Sequence, residues 1–212
     1  MPEQKKIKMK INNYFKKLRK YSIEILISLF LIFLAVFVSI KSSSYAENRQ
    51  CNSLDDIILN LIPPIKEFSI LFVFWPSIVC LVLIVYLLFF KMNRILETSF
   101  QISLIYIIRS ITITLVSLCP PKKTLLPYLT NYVGNPYIFN NDLFFSGHVA
   151  LPFLCYLIFR KEKIGKFFLF SSILMAITVL AIHVHYSIDV VGAFFISYGS
   201  FKIGEEILKK IK

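Results

Sequence analysis

The chain has 212 residues, of which 57% are hydrophobic and 17% are charged, and its formal net charge is +12. The apolar residues are gathered in long uninterrupted runs, which is typical of a membrane protein and excludes an ordinary soluble domain. A strongly positive charge also occurs in nucleic-acid-binding proteins. Here the positive residues follow the loops between the apolar runs, so nucleic acid is not a predicted partner.

Six apolar runs are candidates for membrane-spanning helices, because a span needs roughly 20 mostly apolar residues. In chain order they are Tyr21–Ile40, Phe68–Phe90, Phe100–Cys119, Leu143–Phe159, Phe167–Val184 and Ile188–Phe201. The last four are shorter or carry polar residues. We therefore predict an all-α polytopic membrane protein, a bundle of six transmembrane helices. Its membrane domain covers residues 21–201, between a basic N-terminal segment, 1–20, and a basic tail, 202–212.

Lys and Arg residues lie mainly on one side of the predicted bundle. Of the 24, 18 fall in the two terminal segments and the loops on their side, 5 fall in the opposite loops, and Arg109 lies within a span. Because cytoplasmic loops carry the excess of positive residues, both termini are predicted to be cytoplasmic. This topology signal is favoured over two other interpretations of Lys5–Lys20, a nucleic-acid arm and an interfacial helix on anionic lipid.

The cysteines and short motifs point to no metal and no cofactor. Cys80 and Cys155 fall inside predicted spans, whereas Cys51 and Cys119 lie in or beside outward loops and are able to pair. Four free buried thiols are the favoured interpretation. The sequence lacks a Gly-rich phosphate loop, a Cys-x-x-Cys pair and a His-Glu-x-x-His motif. The segment Ser44-Tyr45-Ala46 resembles a signal-peptidase site, but the long apolar run before it predicts an uncleaved anchor.

Two of the three histidines lie in polar clusters at the ends of predicted spans. One cluster is Asn141–His148 and the other is His185–Asp189. The topology, derived from Lys and Arg alone, brings both to the outer face. Ionisable groups at membrane depth are costly and usually mark a functional site, although a histidine at a span end also serves to hydrogen-bond a neighbouring helix. Two histidines with a nearby aspartate favour function.

These residue types suit nucleophilic catalysis by histidine. Such catalysis needs a neutral ring nitrogen to attack and a carboxylate on the other nitrogen, which sets the tautomer and stabilises the cation. His185 is the predicted nucleophile and Asp189 its carboxylate, whether they share a helix face or meet across a turn. His148 is the predicted acid and base. Ser146 and the backbone of Gly147 are predicted to hydrogen-bond a phosphate oxygen.

A positive residue within a span predicts an anionic substrate. Arg109 lies about 20 Å along its helix from Leu96, in the outer half, at 1.5 Å per residue. Phosphate binding is favoured over snorkelling and over a pair with Asp189 or Asp142. His183 lacks a comparable partner in the sequence, so it is predicted to be a packing or interfacial residue.

At these residues the sequence resembles the lipid phosphatase and phosphotransferase superfamily of type 2 phosphatidic acid phosphatases, and most closely its sphingomyelin synthase branch. Asp142-x-x-x-Ser146-Gly147-His148 is similar to the synthase pattern Gly-Asp-x-x-x-Ser-Gly-His, with Asn141 at the glycine position. His185-Tyr186-Ser187-Ile188-Asp189-Val190 is similar to His-Tyr-Thr-x-Asp-Val. Arg109-x-x-Thr112 before Pro120-Pro121 resembles, approximately, an Arg-x-x-Thr segment before a proline-rich loop.

The resemblance implies a phosphotransferase with a phosphohistidine intermediate, acting at the outer or lumenal face of an integral membrane bundle. Its partners are expected to be membrane lipids: a glycerophospholipid donor of a phospho-head group and a lipid alcohol acceptor such as ceramide or diacylglycerol. The expected contacts of the substrate phosphate are Arg109, Ser146, Gly147, Asp142 and Tyr186. Histidine-based transfer requires no divalent ion, so activity is expected in excess chelator.

Two alternatives stay open. The first is a lipid phosphatase acting on phosphatidate or a polyprenyl diphosphate, which differs from a transferase only in its acceptor pocket. Its branch has a Lys-x6-Arg-Pro segment and a Ser-Arg before the second histidine, where this chain has Thr178-Val179. The second is a non-enzymatic transporter or scaffold with buried polar residues. The donor head group, the acceptor and the oligomeric state are not predicted.

Overall fold

The computed structural model describes residues 2–133 and 140–211, and within them the chain is helical, without strands. The helices are α1 Pro2–Lys20, α2 Ser22–Glu47, α3 Ile57–Leu61, α4 Phe68–Phe89, α5 Ile95–Leu115, α6 Leu126–Val133, α7 Gly147–Phe159, α8 Lys163–Ala181 and α9 Ser187–Ile211. A single 3₁₀ turn, Met92–Arg94, connects α4 to α5. The all-helical prediction is confirmed.

Four segments are long and apolar enough to cross a membrane: α2, α4, α8 and Met92–Leu115, which includes α5. α7 is apolar but has only 13 residues, about 20 Å at 1.5 Å per residue. In α9 the apolar stretch is followed by charged residues, among them Lys202 and Glu205. Four candidate spans indicate an integral membrane protein, and six spans with cytoplasmic termini stay a prediction.

Several helix bounds differ from the predicted runs. α2 continues from Ile40 to Glu47, because the serines after the apolar run do not break a helix. α5 begins at Ile95 and ends at Leu115, so it starts before the predicted third span and does not reach Cys119. α7 begins only at Gly147, because Ser146 has extended backbone angles and precedes the first helical residue. α9 continues into the predicted basic tail.

The interior of the bundle is made by α5, α7, α8 and α9, while α2 and α4 expose most of their apolar side chains. Small and polar side chains lie where the inner helices meet, as is usual in membranes, because lipid gives apolar side chains no reason to prefer the protein interior. The buried ones include Ser110, Ser171, Ser172, Thr178 and Ser197. Ser172 donates to the carbonyl of Val149 at 3.0 Å, which joins α8 to α7.

A disulfide joins Cys51, after α2, to Cys119, after α5, with 5.0 Å between their Cα atoms. The favoured prediction of four free buried thiols is therefore wrong for this pair, and Cys80 is exposed rather than buried. The two cysteines are 68 residues apart in sequence, so only the folded chain shows that they meet. The disulfide ties together two of the segments that surround the predicted catalytic residues.

Candidate active site

The turn between α8 and α9 holds His185 against Asp189. α9 begins at Ser187, so the two residues meet across a turn, with Nδ1 of His185 3.3 Å from Oδ2 of Asp189. The same carboxylate oxygen accepts the backbone N–H of Tyr186 at 2.9 Å. A carboxylate in the first turn that bonds back to the preceding residue stabilises a helix start. Asp189 is thus fixed in place and is fully buried behind the imidazole.

His148 lies in the first turn of α7, beside the second histidine-containing segment. Its ring packs on Phe72 of α4, with 4.5 Å between the ring centroids. The backbone N–H of Ser146 donates to the carbonyl of Asp189 at 3.3 Å, and this bond ties the start of α7 to the start of α9. The two clusters that the topology predicted to lie at one face therefore meet.

His148 and His185 line one cavity of about 390 Å³. Its other polar lining comes from Tyr106 and Arg109 of α5 and from Asp142, and its remaining lining is mainly apolar. An ionisable group at the edge of an apolar cavity is the arrangement expected of a ligand site. Asp189 is not in the lining, so it touches the cavity through His185 alone.

Arg109 is bound by the segment that follows α6. Its Nη2 lies 2.7 Å from Oδ1 of Asp142 and 3.1 Å from the carbonyl of the same residue. Nη1 donates to Oδ2 of Asp142 at 3.1 Å, and Nε donates to the carbonyl of Phe145 at 2.9 Å. A guanidinium has five N–H donors, so these contacts leave about one for a ligand. Arg109 therefore forms an ion pair with Asp142, which was one of the alternatives that the sequence left open. Phosphate binding by Arg109 stays a prediction.

The charge of Arg109 also sets the ionisation of Asp142. Burial acts to raise the pKa of Asp142, but the guanidinium beside it and the hydrogen bonds it accepts outweigh burial and hold that pKa below its ordinary value. Asp142 is therefore a carboxylate at neutral pH. A carboxylate repels a phosphate directly, so its place at the cavity is better explained by its hold on Arg109.

The start of α7 offers backbone donors to the same cavity. Ser146 is the N-cap residue, yet its side chain caps no N–H group, so the first-turn N–H groups of the helix are left for another acceptor. Its buried hydroxyl has no partner among the described residues. A Cβ at Gly147 would lie 3.4 Å from Nε of Arg109, an ordinary van der Waals distance, so the guanidinium packs directly against the helix start.

Two residues of the α8–α9 turn lie away from the cavity. The hydroxyl of Tyr186 donates to the carbonyl of Cys119 at 2.8 Å and accepts the N–H of Leu54 at 3.0 Å. The structure therefore does not bring Tyr186 to the predicted phosphate site, because its hydroxyl is held by the two disulfide-linked segments. His183 is buried, with Nε2 3.0 Å from the carbonyl of Ile62, which agrees with the packing role predicted for it.

A second, apolar cavity borders the first. This groove has a volume of about 460 Å³ and lies between α2, α4 and α5. It shares Cys80, Tyr106 and Leu151 with the histidine cavity, so the two are neighbours along the same walls. On α2 it runs from Val36 to Ile25, about 16 Å at 1.5 Å per residue. The groove therefore leads from the histidines towards the ends of the helices that the sequence predicts to be cytoplasmic.

Sequence reasoning missed the contributions of the first helices to this site. Phe72 packs against His148, and Ser43 and Glu47 of α2 bind the segment around Asp142. Each lies at least 60 residues before the motif it contacts, and no residue spacing announces a contact of that range. Across residues 2–133 and 140–211, no three His, Cys, Asp or Glu side chains are grouped as metal ligands.

Comparison with protein families finds a match in the C-terminal part of the chain. Residues 141–205 match the family described as PAP2 superfamily C-terminal, and they contain both histidine clusters and the helices α7 and α8. Neither the comparison with curated proteins nor the comparison with solved structures yields a match. The family match supports the superfamily that the motifs resemble, whose members are typically phosphatases or phosphotransferases. It does not distinguish the sphingomyelin synthase branch.

Proposed function

We propose that this protein is a lipid phosphotransferase that moves a phospho-head group from a glycerophospholipid to a lipid alcohol such as ceramide, through a phosphohistidine on His185. The observation that carries the proposal is the contact of His185 with Asp189, 3.3 Å, at the wall of a cavity that His148 also lines. The match of residues 141–205 to a superfamily of phosphatases and phosphotransferases supports the same chemistry.

In the first step His185 attacks phosphorus. With Nδ1 held by Asp189, the proton of the neutral ring lies on Nδ1, and the lone pair of Nε2 is free to form the N–P bond. As the P–O bond to the leaving lipid alkoxide breaks, His148 donates a proton to that oxygen, and diacylglycerol is released. Asp189 stabilises the positive charge that develops on the imidazole.

In the second step the acceptor replaces histidine on phosphorus. His148, now neutral, takes the proton of the acceptor hydroxyl, whose oxygen forms the new P–O bond while the N–P bond breaks. The free first-turn N–H groups of α7, with the remaining donor of Arg109, are the proposed contacts of the phosphate oxygens in both steps. When water attacks in place of the acceptor, the phospho-group is released by hydrolysis; with phosphatidate as the donor the same residues act as a phosphatase, which is the second candidate function.

The apolar groove supports a lipid substrate. A phospholipid has a polar head and long hydrocarbon chains, and the histidine cavity and the groove supply one environment for each. A hydrocarbon chain bound in the groove lies along α2, α4 and α5, and it places the phosphate head of the lipid at the histidines. This orientation suits a lipid of the leaflet nearest the histidines.

The disulfide supports the proposed side of the membrane. Disulfides persist in oxidising compartments and are rare in the cytosol. The Cys51–Cys119 bridge lies at the same ends of the helices as His185, to which it is connected through Tyr186. A non-cytoplasmic active site therefore agrees with two independent signals, the disulfide and the distribution of Lys and Arg.

Filling the groove is expected to weaken binding of long-chain lipids only. In Ile84→Trp, the larger side chain fills part of the groove. Excluding two methylene groups of the lipid tail from the groove weakens the binding free energy by about 1.6 kcal/mol. KM for a long-chain substrate then rises about tenfold, while KM for a short-chain soluble analogue stays the same. The control is Leu81→Trp, also exposed on α4 but outside the groove. Equal KM values for both variants on the long-chain lipid would contradict a tail in this groove.

The proposed function is tested by reconstituting the purified protein in vesicles. The vesicles contain labelled ceramide together with phosphatidylcholine, phosphatidylethanolamine or phosphatidate labelled in the acyl chains, and the labelled products are identified. A phosphosphingolipid with an equal amount of diacylglycerol establishes the transferase. Dephosphorylated lipid alone makes the protein a phosphatase, and no product with any donor favours the non-enzymatic alternative.

A further inference from the structure

The outer end of α2 holds the segment that carries Asp142. Oε2 of Glu47 accepts the backbone N–H groups of Asn140 and Asn141, at 2.7 and 3.0 Å. Oε1 of Glu47 accepts the side-chain amide of Asn140 at 2.8 Å. One helical turn earlier, the hydroxyl of Ser43 donates to Oδ2 of Asp142 at 2.7 Å.

Ser43 and Glu47 are four residues apart, so they lie on one face of α2. Together they bind three successive residues, 140–142. Those residues have no helix or strand of their own to fix them, since α7 begins only at Gly147. Asp142 at the end of this segment in turn makes three of the four contacts that hold Arg109. A chain of hydrogen bonds therefore runs from α2, through residues 140–142, to the guanidinium at the cavity.

We infer that Glu47 and Ser43 are positioning residues for the phosphate subsite, an inference that rests on the proposed function. They touch no reacting atom. They set the place of Asp142, which fixes how Arg109 and the adjoining start of α7 face the phosphate. α2 lies outside the residues that match the family, 141–205, so this element completes the subsite from a part of the chain to which the match assigns no role.

Removing the Glu47 carboxylate is expected to weaken phosphate binding more than chemistry. The subsite holds phosphate in the bound lipid and in the transition state alike, so its loss raises KM and leaves kcat nearly unchanged. Glu47→Ala removes three hydrogen bonds to a charged acceptor, and KM is expected to rise about tenfold. Ser43→Ala removes one and is expected to raise KM about threefold. General damage to the fold acts in the opposite sense, lowering kcat at constant KM.

Two further variants test whether the effect of Glu47→Ala comes from the lost hydrogen bonds, from the lost charge or from a change in α2 itself. Glu47→Gln keeps one oxygen for the two backbone N–H groups, and it is expected to restore most of the lost affinity. Asn48→Ala changes an exposed neighbour whose side-chain amide donates to the carbonyl of Ser44 in the same helix, at 2.9 Å, and it is expected to match the wild-type protein.

Hydrogen exchange of the full-length protein in detergent tests the contact without turnover. The backbone amides of Asn140 and Asn141 are expected to exchange about tenfold faster in Glu47→Ala than in wild type, and at the wild-type rate in Asn48→Ala. The inference is overturned if exchange in Glu47→Ala is unchanged, or if kcat falls while KM does not. Faster exchange in a protein that turns over no lipid supports the hold of Glu47 on this segment but overturns its role at a phosphate subsite and the proposed function.

Discussion

We expect His185→Ala to lower turnover by about 10³-fold or more, because the variant has no atom to form the N–P bond. The change is small in structural terms, since the imidazole faces a cavity and, within residues 2–133 and 140–211, makes one hydrogen bond, to Asp189. The variant is therefore expected to insert and to unfold at nearly the wild-type temperature. Product formation in vesicles, at equal amounts of inserted protein, is the measurement.

His183 supplies the control for this experiment. It lies two residues earlier in the same turn, is buried, and has a backbone φ of 54°, a conformation that asparagine tolerates better than most residues. His183→Asn is expected to keep turnover within about tenfold of wild type, the loss coming from its bond to Ile62 rather than from chemistry. Equal activity of His185→Ala and wild type would remove His185 as the nucleophile.

The second large effect is expected on stability. Arg109→Ala leaves Asp142 as a partly buried charge without its counter-ion and leaves the carbonyls of Asp142 and Phe145 without donors. Breaking a fully buried ion pair from one side costs about 3–5 kcal/mol of the free energy of unfolding, and because Asp142 is partly exposed we expect a loss at or below the lower end of that range. Arg109→Lys keeps the charge but cannot make the same set of planar contacts, so we expect it to be intermediate. Thermal unfolding in detergent measures both.

The loss of stability in Arg109→Ala is expected to depend on the charge of Asp142 and on pH. Adding Asp142→Asn to Arg109→Ala removes the uncompensated charge and should recover part of the stability, whereas Lys122→Ala, an exposed loop change, should cost little. The pKa of Asp142 is held below its ordinary value of 3.8, so the Arg109–Asp142 pair contributes its full stabilisation of the folded state above that pH. This stabilisation is lost as the pH falls through the lowered pKa. Strictly additive effects of the two substitutions would show that the pair is not coupled.

The helices and the meeting of the histidine clusters could be predicted because each has a local signal. Long apolar runs form helices in a membrane whatever surrounds them, and Lys and Arg in the loops decide which ends lie together. His148 and His185 then had to approach the same face. The contact of His185 with Asp189 followed from a spacing of four residues.

The parts that could not be predicted depend on long-range contacts. The sequence did not decide which acid pairs with Arg109. Asp142 lies in a loop, so no helical spacing places it beside Arg109. The same holds for Cys51 and Cys119, whose pairing requires that the ends of α2 and α5 meet. Tyr186 lies inside a functional motif, and only the structure shows that its hydroxyl faces the loops and not the cavity.

In the proposed reaction, His185 carries the phospho-group between two lipids. The most direct test is to mix the protein reconstituted in vesicles with phospholipid labelled with ³²P in the head group, stop the reaction within one turnover, and map the label. We predict label on His185 through an acid-labile, base-stable N–P bond, and no label in His185→Ala. Product formation without labelled protein, or label on His148 or Ser146 instead, would contradict the account.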